Sequence, residues 1–224
     1  ETLRLRPGTY QTPGLLIDKP LTLERHGDGT VVIEAEGKST IRIESLNVVL
    51  RGLTLRQQGL GELNVVHLNN GQAILEDCNL SAQKAKGQHA ILLQGVTSKV
   101  TVRRCELSAA DIGLSVEAGA AVLEETDVFG MKRCGVWIRS ELGESTLRMG
   151  SVIRDNGQRG ILVEDGATLN VEGCSVRTNR WYGFLIRKGG TCRLTDTAAI
   201  ENHRDGMLVQ TGGTTHLERC HVER

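Results

Sequence analysis

Eight segments of this chain can be laid over one another, and that repetition limits the fold more than any other feature. Leu50-Arg51-Gly52-Leu53 aligns with Leu75-Glu76-Asp77-Cys78, Val102-Arg103-Arg104-Cys105, Leu123-Glu124-Glu125-Thr126 and Leu147-Arg148-Met149-Gly150. Val171-Glu172-Gly173-Cys174, Leu194-Thr195-Asp196-Thr197 and Leu217-Glu218-Arg219-Cys220 continue the series. The steps between first residues are 25, 27, 21, 24, 24, 23 and 23. A second column runs through Gly113, Gly135, Gly160, Gly183 and Gly206, each followed by a largely apolar triplet such as Ile161-Leu162-Val163. A third holds Asn156, Asn179 and Asn202, each four residues before one of those glycines. The local unit is therefore Asn-x-x-x-Gly-φ-φ-φ.

Each unit has room for two or three strands of three to five residues, separated by glycine and polar turns. Nothing shows helical periodicity over ten or more residues. Leucine-rich repeats have a similar period, about 20–29 residues, but here the Asn and Cys columns do not sit on their framework. The pattern predicts an all-β, single-stranded, right-handed parallel β-helix of about nine coils of roughly 23–25 residues, occupying residues 1–224, with strands stacked about 4.8 Å apart. Composition agrees. Aromatic residues are 3% of the chain and glycines number 27, which suits a narrow core of stacked aliphatic and small side chains.

Stacking like on like gives each column a meaning. Cys78, Cys105, Thr126, Gly150, Cys174, Thr197 and Cys220 form a small-residue column where the coil bends inward. The three asparagines form an amide ladder. Arg51, Glu76, Arg103, Glu124, Arg148 and Glu172 alternate in sign on the outside and read as a solvated, self-compensating face.

The Asn-x-x-x-Gly-φ-φ-φ unit resembles the parallel β-helix repeats of the pectin-lyase-like superfamily, in its PbH1 and NosD-type forms. Pro7-Gly8-Thr9-Tyr10 and Ile17-Asp18-Lys19-Pro20-Leu21-Thr22-Leu23 look like the first coils of such domains. The resemblance covers nearly the whole chain and implies the fold; the fold itself hosts polysaccharide lyases, galacturonases, pectin esterases and uronate epimerases, together with non-enzymatic NosD-type proteins and the β-helices of some F-box proteins. The galacturonase motifs Asn-Thr-Asp, Asp-Asp and Gly-His-Gly and the epimerase motif Asp-Pro-His-Glu do not occur in this sequence. Asp155, Asp165, Asp196 and Asp205 fall at different positions of the repeat, so no converging pair of carboxylates is expected. No catalytic residue is assigned.

The most chemical stretch is Asn202-His203-Arg204-Asp205, which overlays Asn179-Arg180-Trp181-Tyr182 and Asn156-Gly157-Gln158-Arg159. Arg159, Arg180, Trp181, Tyr182, His203, Arg204 and Asp205 should share one edge of the solenoid, as a binding patch with an aromatic platform and cationic groups. A glycan or an acidic peptide would suit it. A second candidate is an outward apolar stripe of Leu92, Trp137, Leu162, Leu185 and Leu208, broken by Ser115. Alternation along the strands turns these side chains away from the core, and an exposed stripe of that size implies a cover by a protein partner or a flanking part of the same chain.

The 27 basic and 27 acidic residues cancel, so no global field draws the chain to nucleic acid or an anionic membrane. No run of about 18 apolar residues is present. The six cysteines lack Cys-x-x-Cys spacing, so neither metal nor cofactor is expected. Stacked Cys78 and Cys105 point in parallel, which is poor geometry for a disulfide; free thiols lean toward a reducing, cytoplasmic setting. The chain opens at Glu1 and closes inside a repeat, an expectation of a piece cut from a longer protein. The sequence thus points to a non-catalytic recognition or scaffolding β-helix, with a carbohydrate-active enzyme (polysaccharide lyase or glycoside hydrolase) and a purely structural rod as alternatives.

Overall fold

The computed structural model describes residues 1–83 and 86–223. Its strands form three parallel sheets of 10, 10 and 9 strands, with sequence neighbours three elements apart paired in every sheet. The chain therefore coils about ten times, one more than the repeat count suggested, and no helix is present among the described residues. One coil shows the plan. Gln72–Glu76 lies in the first sheet (A), Asn79–Ser81 in the second (B) and His89–Gln94 in the third (C); Lys99–Arg103 then begins the next coil in sheet A.

Alternation sets the faces. In the sheet A strand Ala73 and Leu75 are buried while Ile74 stays exposed. Leu75 pairs with Leu50 on one side and Val102 on the other, so an aliphatic column fills the interior. A single core of Leu, Ile and Val runs the length of the coil. Such burial is worth about 25 cal/mol per Å² of apolar surface.

The bend from sheet A to sheet B needs one residue in the left-handed region. Gly52 and Gly173 supply it without a Cβ penalty, but Asp77, Arg104, Glu125, Asp196 and Arg219 adopt it too, with φ between 48° and 54°. Each such non-glycine residue costs about 1 kcal/mol or more. Stacking offsets that cost: the Asp77 N–H donates to Arg103 O at 3.1 Å and the Asp196 N–H to Glu218 O at 3.0 Å, so each bend is tied to the next coil.

The small-residue column follows this bend and is buried at Cys78, Cys105, Thr126, Cys174 and Thr197. Its member in the fifth of the aligned segments is Ser151, not Gly150. Met149 (φ 57°) and Gly150 (φ 76°) are both left-handed there, so the bend is one residue longer. The Thr126 N–H donates to Ser151 Oγ at 3.3 Å, as the Cys174 N–H donates to Thr197 Oγ1 at 3.4 Å. The same insertion shortens the outer charge ladder. Arg51 pairs with Glu76, and Glu124 sits between Arg103 and Arg148. Pairing with the following strand stops at Leu147–Val171, and among the described residues Glu172 has no ion-pair partner.

The asparagine ladder forms. Asn156 Nδ2 donates to Asn179 Oδ1 at 2.9 Å, and Asn179 Nδ2 to Asn202 Oδ1 at 3.0 Å. The glycine four residues later is explained by the same packing. A Cβ on Gly160 would lie 2.5 Å from Val176 Cγ1, 2.7 Å from Gly183 O and 2.8 Å from Asn179 Nδ2. All six cysteines are free thiols. Burial pushes Cys174 up to about 11 and Cys134 up to about 12, so neither is a thiolate at neutral pH.

Candidate functional site

The turns from sheet B to sheet C build the edge singled out by the sequence. Successive turns stack through their backbones: the Gln158 N–H donates to Arg133 O at 2.8 Å, Trp181 to Gln158 O at 2.7 Å and Arg204 to Trp181 O at 2.8 Å. The Asn ladder anchors this edge from inside.

Five of the seven predicted residues meet here. Trp181 carries the Arg159 guanidinium from the coil before at 5.2 Å and the Arg204 guanidinium from the coil after at 5.0 Å. Arg204 also lies over Tyr182 at 5.8 Å and donates to its hydroxyl at 3.4 Å. Arg180 and Trp181 line a cleft of roughly 470 Å³. The expected aromatic platform is thus partly taken: Trp181 is stacked with cations and positions them. His203 is exposed, and no side-chain partner is found for it or for Asp205 among the described residues.

The cleft also brings in residues that the sequence reading passed over: Lys86, Asp111, Lys132, Arg133 and Gln158. Lys132, Gly157, Arg180 and His203 occupy equivalent positions in consecutive turns. Gly157 packs so closely that a Cβ would stand 2.2 Å from Lys132 O, so this rung has no side chain and a gap opens between the Lys132 and Arg180 rungs. These are two rungs apart, about 10 Å. Asp111 forms the base. Its side chain is 1% exposed and accepts from Arg133 Nε and Nη2 at 2.9 Å, and from the Gly87 N–H at 2.8 Å. Arg133 is thereby neutralised and fixed, whereas Lys86, Lys132 and Arg180 have no acidic partner among the described residues. The missing signal was the ladder position itself: Met131 stands where the later coils have Asn, and it meets the ladder through its backbone, its N–H donating to Asn156 Oδ1 at 3.1 Å.

The outward column of sheet C is in register as expected, Leu92–Ser115–Trp137–Leu162–Leu185–Leu208. It is not exposed. Leu92, Leu162 and Leu185 are 6%, 3% and 2% accessible, and Trp137 and Leu208 are half-buried. Leu162 and Leu185 pack with Ile112 and Cys134, and Trp137, Tyr182 and Leu208 close over them. A polar row lies alongside. The Trp137 indole N–H donates to Glu164 at 2.9 Å, the Arg139 guanidinium sits 4.5 Å over the indole, and Glu164 also holds Arg187. The expectation that this stripe is an exposed interface therefore loses its basis: the chain covers it itself.

The sequence matches the family described as "Right handed beta helix region" over residues 48–199 and again over 119–224. The chain belongs to this right-handed β-helix family. Overlapping matches are what a repeat produces when it can be aligned in more than one phase. The β-helix is similar to the A-module of the Azotobacter vinelandii mannuronan C-5 epimerase AlgE6, with a TM-score of 0.80 and 16% identity over 97% of this chain and 66% of that one. It is similar to pectate lyase Pel9A, with a TM-score of 0.72 and 12% identity over 96% of this chain and 65% of that one. A pectin methylesterase from Yersinia enterocolitica has a TM-score of 0.58 and 12% identity, over 99% of this chain and 85% of that one. At these identities the likeness establishes the fold alone. The chain spans just under two thirds of the length of the first two. No curated protein sequence matches it significantly.

Proposed function

We propose that this β-helix is a non-catalytic recognition module that binds an acidic glycan along the edge made by the turns from sheet B to sheet C. The observation that carries the reading is where the uncompensated cations lie. On the outer face of sheet A, Arg4, Arg51, Arg103 and Arg148 each pair with a glutamate of a neighbouring coil. Around the cleft, Lys86, Lys132 and Arg180 are free to pair with a ligand, and Arg159 and Arg204 are held beside them by Trp181. A carboxylate lying over the Gly157 gap would meet donors from both sides, and charge-assisted hydrogen bonds of this kind are about twice as strong as neutral ones. The single carboxylate at the base, Asp111, is committed to Arg133 and Gly87, so among the described residues of the cleft there is no free pair of acids of the kind that glycoside hydrolysis requires.

Mannuronan and pectate, in the names of the similar structures, supply two acidic probes. Electrophoresis through gels containing polymannuronate, pectate or a neutral glucan tests the reading. The wild type should be retarded by at least one acidic polymer, less so at high salt, and not by the glucan. The Lys132→Glu, Arg180→Glu double variant, folded by circular dichroism, should run nearly unretarded. Equal retardation of the variant would overturn the site. Release of unsaturated uronate by the wild type would replace this reading with a lyase.

A further inference from the structure

We infer that His67 is the acceptor group of a second site, on the outward face of sheet C in the N-terminal coils, which takes a small hydroxylated organic anion of the sugar-acid class. This inference does not rest on the edge cleft. The site is a cleft of roughly 520 Å³ lined by Leu16, Lys38, Arg42, Glu44, Leu63 and His67, several coils away from Trp181.

The state of His67 follows from its neighbours by elimination. Glu117 pairs with Arg139 and can only accept, so the group of Gln94 facing it at 2.8 Å is the amide Nε2. The Gln94 carbonyl oxygen is then turned to His67 Nε2 at 2.9 Å and must receive a proton from it. Burial lowers the pKa of His67 below its ordinary value, with the Arg42 charge acting the same way and Gln94, Glu117 and Glu44 opposing. At neutral pH the ring is neutral, its one proton is on Nε2, and Nδ1 carries a lone pair. The two nitrogens of an imidazole point away from each other. Gln94 belongs to the following coil and engages Nε2, while the cleft that His67 lines is built by the preceding coils, so Nδ1 is the ring nitrogen left for a ligand there. Among the described residues nothing donates to it.

The opposite wall is held in place. The buried Gln57 donates its Nε2 to Lys38 O at 2.5 Å, and Ser39 Oγ accepts from the Asn64 N–H at 3.1 Å. Lys38 has no acidic partner among the described residues, while Arg42 is paired with Glu44. The cleft thus offers one fixed acceptor for a hydroxyl, one uncompensated ammonium for an anion, and two leucines, Leu16 and Leu63, for a carbon skeleton. A carboxylate-bearing polyol satisfies all three; a neutral sugar leaves Lys38 unpaired and a simple carboxylate leaves His67 unused.

The test uses protein labelled with ¹⁵N-histidine, with His67 identified by the loss of its signals in His67→Gln. At pH 7 long-range proton–nitrogen spectra should show His67 as the Nε2–H tautomer. Adding glucuronate should shift Nδ1 with a roughly millimolar midpoint. Glucose and acetate should shift it far less. Lys38→Glu should weaken the response to glucuronate about tenfold or more, and Arg180→Glu, in the other cleft, should leave it unchanged. A protonated or Nδ1–H ring, no shift with glucuronate, an equal shift with glucose or acetate, or a response untouched by Lys38→Glu would each overturn the inference. Loss of the response in Arg180→Glu would overturn the independence of the two sites. Retention of the gel shift in acidic polymers would show that the edge cleft stands regardless.

Discussion

Asn179 uses all of its hydrogen-bonding capacity inside the wall of the coil. Its Nδ2 donates to Asn202 Oδ1 at 3.0 Å and to Ile153 O at 3.2 Å, and its Oδ1 accepts from Asn156 N at 3.1 Å and Asn156 Nδ2 at 2.9 Å. Asn179→Ala would strand several buried groups and should cost about 3 kcal/mol. Gly160→Ala, which drives a Cβ to 2.5 Å from Val176 Cγ1, should cost about 2–3 kcal/mol. Gly173→Ala meets nothing within 4 Å and bears only the left-handed φ of 60°, so about 1 kcal/mol is expected. Urea midpoints of the three variants check the ranking; Gly173→Ala as the worst of them would contradict it. At this scale the sequence was readable, because the Asn-x-x-x-Gly spacing reports both the ladder and the glycine packed behind it. Ser151 was not. Gly150 looked like the next small member of its column, and only the backbone shows that it is the second left-handed residue of a longer bend.

Sheet C shows where reading by element succeeds and where it stops. Alternation correctly turned Leu162 and Leu185 away from the core, but it carries no information about what lies over them. Trp137, Tyr182 and the Glu164–Arg187 row reach across coils, and those contacts exist only once every turn length has fixed the register. The cationic cleft was hidden in the same way, since Lys132 belongs to a turn without the Asn signature. A joint between coils gives this scale its prediction. The His89 ring Nδ1 bonds Asn64 Oδ1 at 2.9 Å in the preceding coil, and burial lowers its pKa from 6.5 to about 4. A lowered histidine pKa means that the unfolded chain takes up the proton first as pH falls. Stability from His89 is therefore complete above pH 6.5 and declines toward pH 4, with a loss on the order of 2 kcal/mol by pH 5. Denaturant titrations at pH 7.5 and pH 5 should show a steeper loss in the wild type than in His89→Gln. Parallel losses would contradict a neutral, buried His89.

For the molecule as a whole, 27 basic and 27 acidic residues sum to zero, yet the solenoid sorts them. Among the described residues most cations on sheet A are paired, Arg25 and Lys99 excepted, and unpaired cations gather along the turns from B to C. No total could reveal that asymmetry; it comes from stacking, which turns a position in the repeat into a place on the surface. The family and the coil were legible from the period and the Asn-x-x-x-Gly unit, whereas the proposed ligand site depends on residues from five different turns meeting at one cleft. Hydrogen exchange on the protein with and without polymannuronate oligosaccharides, and again with pectate oligosaccharides, tests the central claim most directly. The account predicts added protection confined to residues 86–88, 132–133, 157–158 and 180–182 with at least one of the two. Protection centred on the charge-paired face of sheet A, or none with either ligand, would contradict it.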